Sequence, residues 1–317
     1  MDSTASDRFG TGRFEASRNR LASIAYRLLG SASDAEDAVQ DAFLRWQAAD
    51  RERIEMPEAW LTRVVTNLCL DRLRSARVRH ERAAGAWLPE PLLEGDPMLG
   101  PADTFEQRES VSLAVLTLME RLSPVERAVY VLREAFSYSH AEVAQILDIT
   151  ESASQQHVHR ARIRVAAERR RSGGTDPASA RRIVEEFLAA AASGRTERLV
   201  ALLTDDVVAL SDGAGLAKRL LRFKTPEQVA SHVRAGFKPT PAKRRLAGGS
   251  PTFHFAWVNG SPAVVAVLDH RVVGAAAFEV RDGKVASLRA IAAAGRLARL
   301  NEAWRQHEPD APVITSW

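Results

Sequence analysis

Apolar residues in the first eighty positions recur at spacings of three and four, the period of a helix with one buried face. Leu21, Ile24, Leu28 and Leu29 form such a stripe, and Gly30 ends it. Ser33-Asp34-Ala35-Glu36 reads as a capping box opening a second helix, with Val39, Ala42, Phe43 and Trp46 inward. Pro57, whose fixed φ suits a first helical turn, starts a third helix with Leu61, Val64, Val65 and Leu68 as its inner face. Together these predict a compact helical domain over 14–86, preceded by a flexible, polar stretch 1–13.

From Trp87 to Gln107 the periodicity stops. Pro89, Pro91, Pro97 and Pro101, with Gly95 and Gly100, oppose a continued helix, so 87–107 is expected as a linker. Helical spacing returns over 108–171, where Ser123-Pro124-Val125-Glu126 and Ser139-His140-Ala141-Glu142 are capping boxes. A second linker, 172–179, is rich in Ser, Gly and Pro. Beyond it, over 180–303, a helix carrying Ile183, Val184, Phe187 and Leu188 leads into strands at 252–258, 263–269, 272–281 and 285–291. Asn259-Gly260 and Asp282-Gly283 are hairpin turns, so this part is expected to be α+β, a curved antiparallel meander behind helices, with a tail over 304–317.

Composition narrows the classes. The chain has 317 residues, 45% apolar and 26% charged, which suits several globular domains. No stretch nears the roughly 20 apolar residues of a spanning helix, and the polar start lacks the apolar core of a signal peptide, so a cytoplasmic location is expected. Cys69 stands alone, which excludes an internal disulfide or a multi-thiolate metal site; it reads as a core residue, and no cofactor is expected. The net charge is +4, and the arginines bunch at 72–82 and 160–171, as phosphate contacts would require.

The most informative segment is 139–162. A short helix with Val143, Ala144, Ile146 and Leu147 inward, a turn at Asp148-Ile149-Thr150 and a second helix from Glu151 have helix-turn-helix spacing. Ser154, Gln155, Gln156, His159 and Arg160 are the candidates for base edges, with Arg162 and Arg164 on phosphates. An ordinary helical hairpin with a solvated face is the competing reading. In the first domain Asp37 and Asp41 lie four apart with Gln40 beside them, a like-charge spacing that a basic partner would relieve. On the third helix Arg63, Asn67 and Arg74 share a face, Trp60 stands near its start, and Arg72, Arg77, Arg79 and Arg82 extend the charge. That set suits a single nucleic-acid strand, which needs cations along the backbone and groups that stack on or hydrogen-bond its bases.

These motifs, in this order, resemble one family. The stretches Asp34-Ala35-Glu36-Asp37-Ala38-Val39-Gln40-Asp41-Ala42-Phe43-Leu44-Arg45-Trp46, Ala59-Trp60-Leu61-Thr62, Asn67-Leu68-Cys69-Leu70-Asp71-Arg72-Leu73-Arg74-Ser75 and Leu122-Ser123-Pro124-Val125-Glu126-Arg127-Ala128-Val129, with the helix-turn-helix, look like the extracytoplasmic-function (ECF) sigma factors of bacterial RNA polymerase. The resemblance implies two all-α sigma domains: region 2 over 14–86 and region 4 over 108–171. It implies that Asp37, Gln40, Asp41 and Phe43 dock on the polymerase β′ clamp helices, with a further contact to the β flap. It implies that Trp60, Arg63, Asn67, Arg74 and Arg77 capture and melt the −10 element as single strands, and that Ser154 to Arg164 read the −35 duplex. The tail resembles a SnoaL-like domain of the NTF2-like cone fold. With Trp87-Leu88-Pro89-Glu90-Pro91 and Asn259-Gly260-Ser261-Pro262-Ala263, it is similar to the SigJ-type subgroup, in which the fused cone regulates the sigma domains. Trp87, Pro89, Asp212, Asn259 and Gly260 are the interdomain candidates this implies. Two stretches differ from the subgroup: Asp212-Gly213-Ala214-Gly215-Leu216, where Asp, three glycines and Lys are usual, and Ala293-Ala294-Gly295-Arg296-Leu297, in place of an Asn-Pro-Asp-Lys-Leu-like run.

Two alternatives use parts of the same sequence. A cone can hold a desolvated Asp or His that removes a proton beside a carbonyl, as in a cyclase or isomerase, with Asp206, Asp212, His254, Asp269 and His270 as the available groups. A ligand-responsive helix-turn-helix regulator would bind a small molecule in the cone but leaves the first helical domain without a use.

Overall fold

The computed structural model describes residues 3–80, 88–169, 176–217, 219–238, 240–241, 244–245 and 248–315. Trp87 and Arg82 lie outside them, as do the side chains of Arg77 and Arg79. The chain divides into two compact units, one of Met1–Ala83, Gly95–Val111 and Leu118–Val165, the other of Ala84–Glu94, Ser112–Thr117 and Ala166–Trp317.

The first unit is helical. α1 (Ser3–Leu29), α2 (Ala32–Ala48) and α3 (Pro57–His80) pack on one another, and Gly30 ends α1 at φ +67°. The segment expected to be flexible is helical from Ser3, because extending an existing helix costs far less than nucleating one. The N-cap of α2 is Ser31, whose hydroxyl accepts from the Asp34 amide; Ser33 lies two residues too far in to cap it. Phe43 is only half-buried, whereas Val39, Ala42 and Trp46 are buried as expected. Cys69 is fully buried, and burial pushes its thiol up to about 12.

α4 (Phe105–Glu109) starts inside the stretch expected as linker and runs past its end. It is followed by α5 (Leu113–Met119), α6 (Pro124–Tyr130), a π turn at Val131–Ala135, α7 (His140–Leu147) and α8 (Glu151–Arg169). Both predicted capping boxes are present: the Ser123 and Ser139 hydroxyls accept from the Glu126 and Glu142 amides, and each glutamate accepts from the serine amide. Two buried arginines tie these pieces together. Arg27 donates to Ser23 Oγ, to Ser110 Oγ at 3.0 Å and to the carbonyls of Pro101 and Gln107; burial lowers its pKa to about 10. Arg127 pairs with Glu120 and donates to the Arg27 carbonyl. Tyr138, just before α7, meets Thr62 Oγ1 at 3.1 Å and accepts from Arg20.

The second unit carries a six-stranded sheet ordered β2-β1-β6-β5-β4-β3, built from β1 (Leu203–Ser211), β2 (Leu221–Phe223), β3 (Thr252–Val258), β4 (Ser261–Leu268), β5 (Arg271–Arg281) and β6 (Lys284–Ile291). The predicted meander is β3 to β6, turning at Asn259-Gly260 and Asp282-Gly283, all four at positive φ. The sheet is nevertheless mixed, since β1 pairs parallel with β6. One face buries Val207, Ala209, Phe255, Val264, Phe278 and Leu288 against α9 (Pro177–Ala192), α10 (Thr196–Ala201) and α11 (Pro226–Phe237). The other buries Val208, Leu210, Val258, Val265 and Ala277 with Leu88, Leu93, Leu113 and Leu297, Leu300 and Trp304. Burial on both faces explains why β4 reads as an unbroken apolar run. The tail adds to the sheet edge, where the Phe253 amide donates to the Ile314 carbonyl at 2.9 Å and the Val313 amide to that of Phe253 at 2.8 Å.

The Ser139 cap starts the first helix of the helix-turn-helix. Ser139→Ala should lower the stability of the helical unit by about 1 kcal/mol without changing helix content far from α7. Urea unfolding followed by circular dichroism checks this, and an unchanged midpoint would show that the cap contributes nothing.

Candidate functional site

α2 presents Asp37 and Gln40 to solvent, with Asp41 half-buried. Their mutual repulsion is already relieved from within. Arg72 of α3 reaches Asp41 Oδ2 at 2.8 Å, Asp37 at 3.8 Å and Asp34 at 4.0 Å. Like-charge spacing on α2 is therefore no evidence of a basic partner, and Arg72, expected to extend the nucleic-acid face, is turned into the acidic cluster. Phe43 packs on Phe14 at 4.8 Å, leaving one side half-exposed.

On α3, Arg63 is exposed and Asn67 half-buried, one turn apart. Trp60 is half-buried, with its ring 5.6 Å from that of Trp46, so much of its surface belongs to the α2–α3 packing. Arg74 pairs with Asp71 at 3.2 Å across one turn. Arg77 lies on α3; its side chain is outside the described residues.

In the helix-turn-helix, Asp148 takes the left-handed conformation at φ +56°, which Asp tolerates better than most residues. α8 buries Ser154, Val158, Ala161 and Val165 along one stripe. Ser154 is therefore not a base-reading residue: it is fully buried, and its hydroxyl is 2.9 Å from His140 Nδ1, joining the two helices of the motif. Its neighbours Gln155, Gln156, His159 and Arg160 are all exposed on the outer face. Arg160 and Arg164 reach the two carboxylate oxygens of Glu126 at 3.3 and 2.5 Å, and Arg162 reaches Glu134 at 2.7 Å. Burial alone would raise the Glu126 carboxyl, but the Ser123 amide and hydroxyl, then Arg164 and Arg160, bring it below the usual carboxylate range. His157, which sequence reasoning passed over, faces Arg160 Nη2 through Nδ1 at 3.1 Å.

In the second unit the proline-rich segment 88–94 lies along the end of the β3–β4 hairpin. Asn259 Oδ1 accepts from the Leu92 amide at 2.8 Å, and the Asn259 amide donates to the Leu92 carbonyl at 2.9 Å. The Glu94 amide donates to the Trp257 carbonyl at 3.0 Å, and Arg296 Nη1 to the Leu88 carbonyl at 2.7 Å. Pro89 is buried and Gly260 exposed at the turn. Arg296 was missed as a contact, although it stands at the basic place of the Asn-Pro-Asp-Lys-Leu-like run. Asp212 is buried and caps the neighbouring loop, accepting from the amides of Ala214 and Ala292 at 3.0 Å and of Ala293 at 2.9 Å.

The groups considered as catalytic bases have structural duties. Asp212 is the loop cap just described, and Asp206 pairs with Arg281 at 2.6 Å. His254 sits between Thr252 and the Asp310 carbonyl, while Asp269 and His270 form an exposed hairpin turn. Among the described residues no group of His, Cys, Asp and Glu is arranged to hold a metal, and no helix is long and apolar enough to cross a membrane.

A helix-turn-helix with an exposed Gln-rich face, beside a helical module with an arginine face and joined to a cone, defines a transcription protein that reads DNA sequence. Residues 13–79 match the family model Sigma-70 region 2, and residues 112–165 match Sigma-70, region 4. The ECF RNA polymerase sigma factor SigJ of Mycobacterium tuberculosis H37Rv is 42% identical over 210 residues, 66% of this chain and 67% of the relative. The probable ECF sigma factor SigI of the same species is 30% identical over 87% of this chain and 90% of its own. A crystal structure of M. tuberculosis SigJ superposes with a TM-score of 0.67 at 33% identity, covering 91% of this chain and 98% of that one. The chain belongs to the ECF RNA polymerase sigma factor family, and its last part has the SnoaL-like cone fold.

Burial and nearby arginines make His140 sensitive to pH. Burial first, then the charges of Arg133 and Arg162, lower His140 below its ordinary 6.5 despite Glu151. A group whose folded pKa is depressed contributes stability that is present above the unfolded value and lost as pH falls through the folded one. Stability of the helical unit should therefore fall as pH drops below 6.5, and His140→Ala should flatten that slope. Identical slopes in urea melts of the two proteins would remove His140 from the account.

Proposed function

We propose that this sigma factor directs core RNA polymerase to promoters through three surfaces of its own, and that its cone tunes them. Asp37, Gln40, Asp41 and Phe43 on α2 meet the polymerase clamp helices. Arg72 then serves as the internal counterion that the clamp's cations displace or share. Trp60, Arg63, Asn67, Arg74 and Arg77 take the melted −10 strand, with Asn67 against an unpaired base. Gln155, Gln156, His159 and Arg160 read the −35 duplex, and Arg162 and Arg164 exchange Glu134 and Glu126 for DNA phosphates. The arginine side chains are about half exposed, but the Glu126 and Glu134 side chains are 7% exposed, so the exchange carries an electrostatic cost that the DNA phosphates must offset. The observation that carries this reading is the outer face of α8, where consecutive Gln155 and Gln156 are exposed and the arginines follow one to two turns on.

The function needs the two helical modules to separate. Tyr138 at the foot of the helix-turn-helix lies against Thr62 and Arg20. The −10 and −35 elements are about 25 base pairs apart, which at 3.4 Å per pair is roughly 85 Å. The segment 88–94 joins these modules in sequence, so the cone's hold on it through Asn259 and Arg296 is the means of regulation. Core polymerase and promoter DNA as partners imply a cytoplasmic location. The cone's role is binding, a reading supported by Asp212 capping a loop and Asp206 pairing with Arg281.

Gln155→Ala should cost about 1–3 kcal/mol on the cognate promoter and relax preference at one base pair. Arg164→Ala should weaken binding to all sequences alike and reduce the salt slope by about 1. Fluorescence anisotropy with cognate and scrambled duplexes, using polymerase holoenzyme, separates them. Equal losses on both duplexes for Gln155→Ala would take that residue out of the reading set.

A further inference from the structure

The sheet face covered by α9 and α11 carries a cavity of about 780 Å³ that opens to solvent. Its walls include the rings of Phe187, Phe237, Phe253 and Phe278, and no Asp or Glu is among the described lining residues. Of the polar groups that line it, Ser211 Oγ accepts from the Gly213 amide. The Asn301 side chain is engaged with both the amide and the carbonyl of Val272 and with the Leu297 carbonyl. The remaining polar lining is cationic or amphoteric: exposed Arg271, and His232 stacked on Phe223 at 4.2 Å. A space of this size with aromatic walls takes a small organic molecule, and its polar groups favour an acceptor oxygen on that molecule over a cation.

One wall of the cavity has a second duty. Ala292, Ala294 and Leu297 line it, and this short segment is fixed at its start by Asp212, which accepts from the Ala292 and Ala293 amides. Arg296, within the same segment, donates to the Leu88 carbonyl, and Leu297 packs in one apolar cluster with Leu88 and Leu93. The segment therefore touches the cavity on one side and the proline-rich segment on the other. A molecule that fills the cavity cannot move Ala292–Leu297 without changing the Arg296 hold.

We propose that the cone cavity is an effector site for an apolar ring compound bearing an acceptor oxygen, and that its occupant changes the hold on Leu88–Leu93 through Ala292–Leu297. The regulatory meaning of this rests on the sigma-factor reading; the binding and the coupling do not. The coupling needs no large motion, because the shared segment is a single short turn at Ala294–Arg296 followed by a helix at Ala298–Trp304. An effector that binds one arrangement of this segment more tightly than another shifts their populations by that difference and no more.

The test uses the full chain and the fluorescent ketone 6-propionyl-2-(dimethylamino)naphthalene, two fused apolar rings with one carbonyl. Wild type should bind one equivalent saturably. Ala276→Phe and Ala290→Leu, which fill the cavity from the sheet, should each weaken binding about tenfold or more at unchanged helix content. Using both guards against one of them failing to fold. Saturating probe should change hydrogen exchange at the Leu92 and Glu94 amides by about threefold or more in wild type. Arg296→Ala should still bind the probe while exchange at those amides no longer responds to it. Unsaturable binding, or binding indifferent to both filling variants, overturns the site. Saturable binding that leaves Leu92 and Glu94 unaffected overturns the coupling. No polymerase or DNA is present, so either failure leaves the sigma-factor reading standing, and failure of that reading would appear instead as a chain that does not bind core polymerase.

Discussion

A backbone that contains two prolines in three residues cannot satisfy itself, and the structure turns on where its partners come from. Pro89 and Pro91 exclude a helix over 88–94, leaving the carbonyls and amides of that segment to be met elsewhere. Asn259 meets Leu92 in both directions, Trp257 takes the Glu94 amide, and Arg296 takes the Leu88 carbonyl. Asn259 can do this because it occupies a hairpin turn at φ +54°, a conformation Asn tolerates, which leaves its side-chain amide at the sheet's end. Leu88, Leu92 and Leu93 are then buried, so apolar packing and hydrogen bonding fix the same seven residues. The stretch that looks like slack in the sequence is part of the cone's unit.

Electrostatics divides the arginines into two kinds. Arg27 and Arg127 are buried and bonded to oxygen acceptors, with Arg127 Nη2 left without one among the described residues, and removing an acceptor leaves a charge with no water to replace it. Arg72, Arg160, Arg162 and Arg164 keep roughly a third to a half of their side-chain surface exposed, with carboxylates as partners. The Arg72–Asp41 pair is open to solvent on both sides and costs little to exchange for a partner's charges, whereas Glu126 and Glu134 are buried and need a replacement cation when Arg160, Arg162 or Arg164 turns to phosphates. The first kind holds the helical unit together; the second is available for function.

What was legible in the sequence was local. Capping boxes at Ser123 and Ser139, the stop at Gly30 and the turns at Asn259-Gly260 and Asp282-Gly283 each depend on a few adjacent residues, and each stands where the pattern placed it. β1 escaped because Thr204-Asp205-Asp206 interrupts its apolar run and because its parallel pairing with β6 joins residues about eighty positions apart. Ser154 was assigned to the DNA face by polarity, but helical spacing to Val158, Ala161 and Val165 puts it inside, where His140 satisfies its hydroxyl. The Arg72–Asp41 pair, 31 residues apart, could not be read from charge spacing on α2 alone. Asp212 and Arg296 were named within stretches that differ from the family pattern, yet their side chains hold the neighbouring backbone.

The central claim is that this chain selects promoters for core RNA polymerase. Transcription from genomic DNA by core polymerase reconstituted with the full-length chain, with start sites mapped across the genome, tests it most directly. The account predicts start sites that share a two-part upstream motif and that disappear without the chain. Starts with no common motif, or the same starts from core polymerase alone, would contradict it.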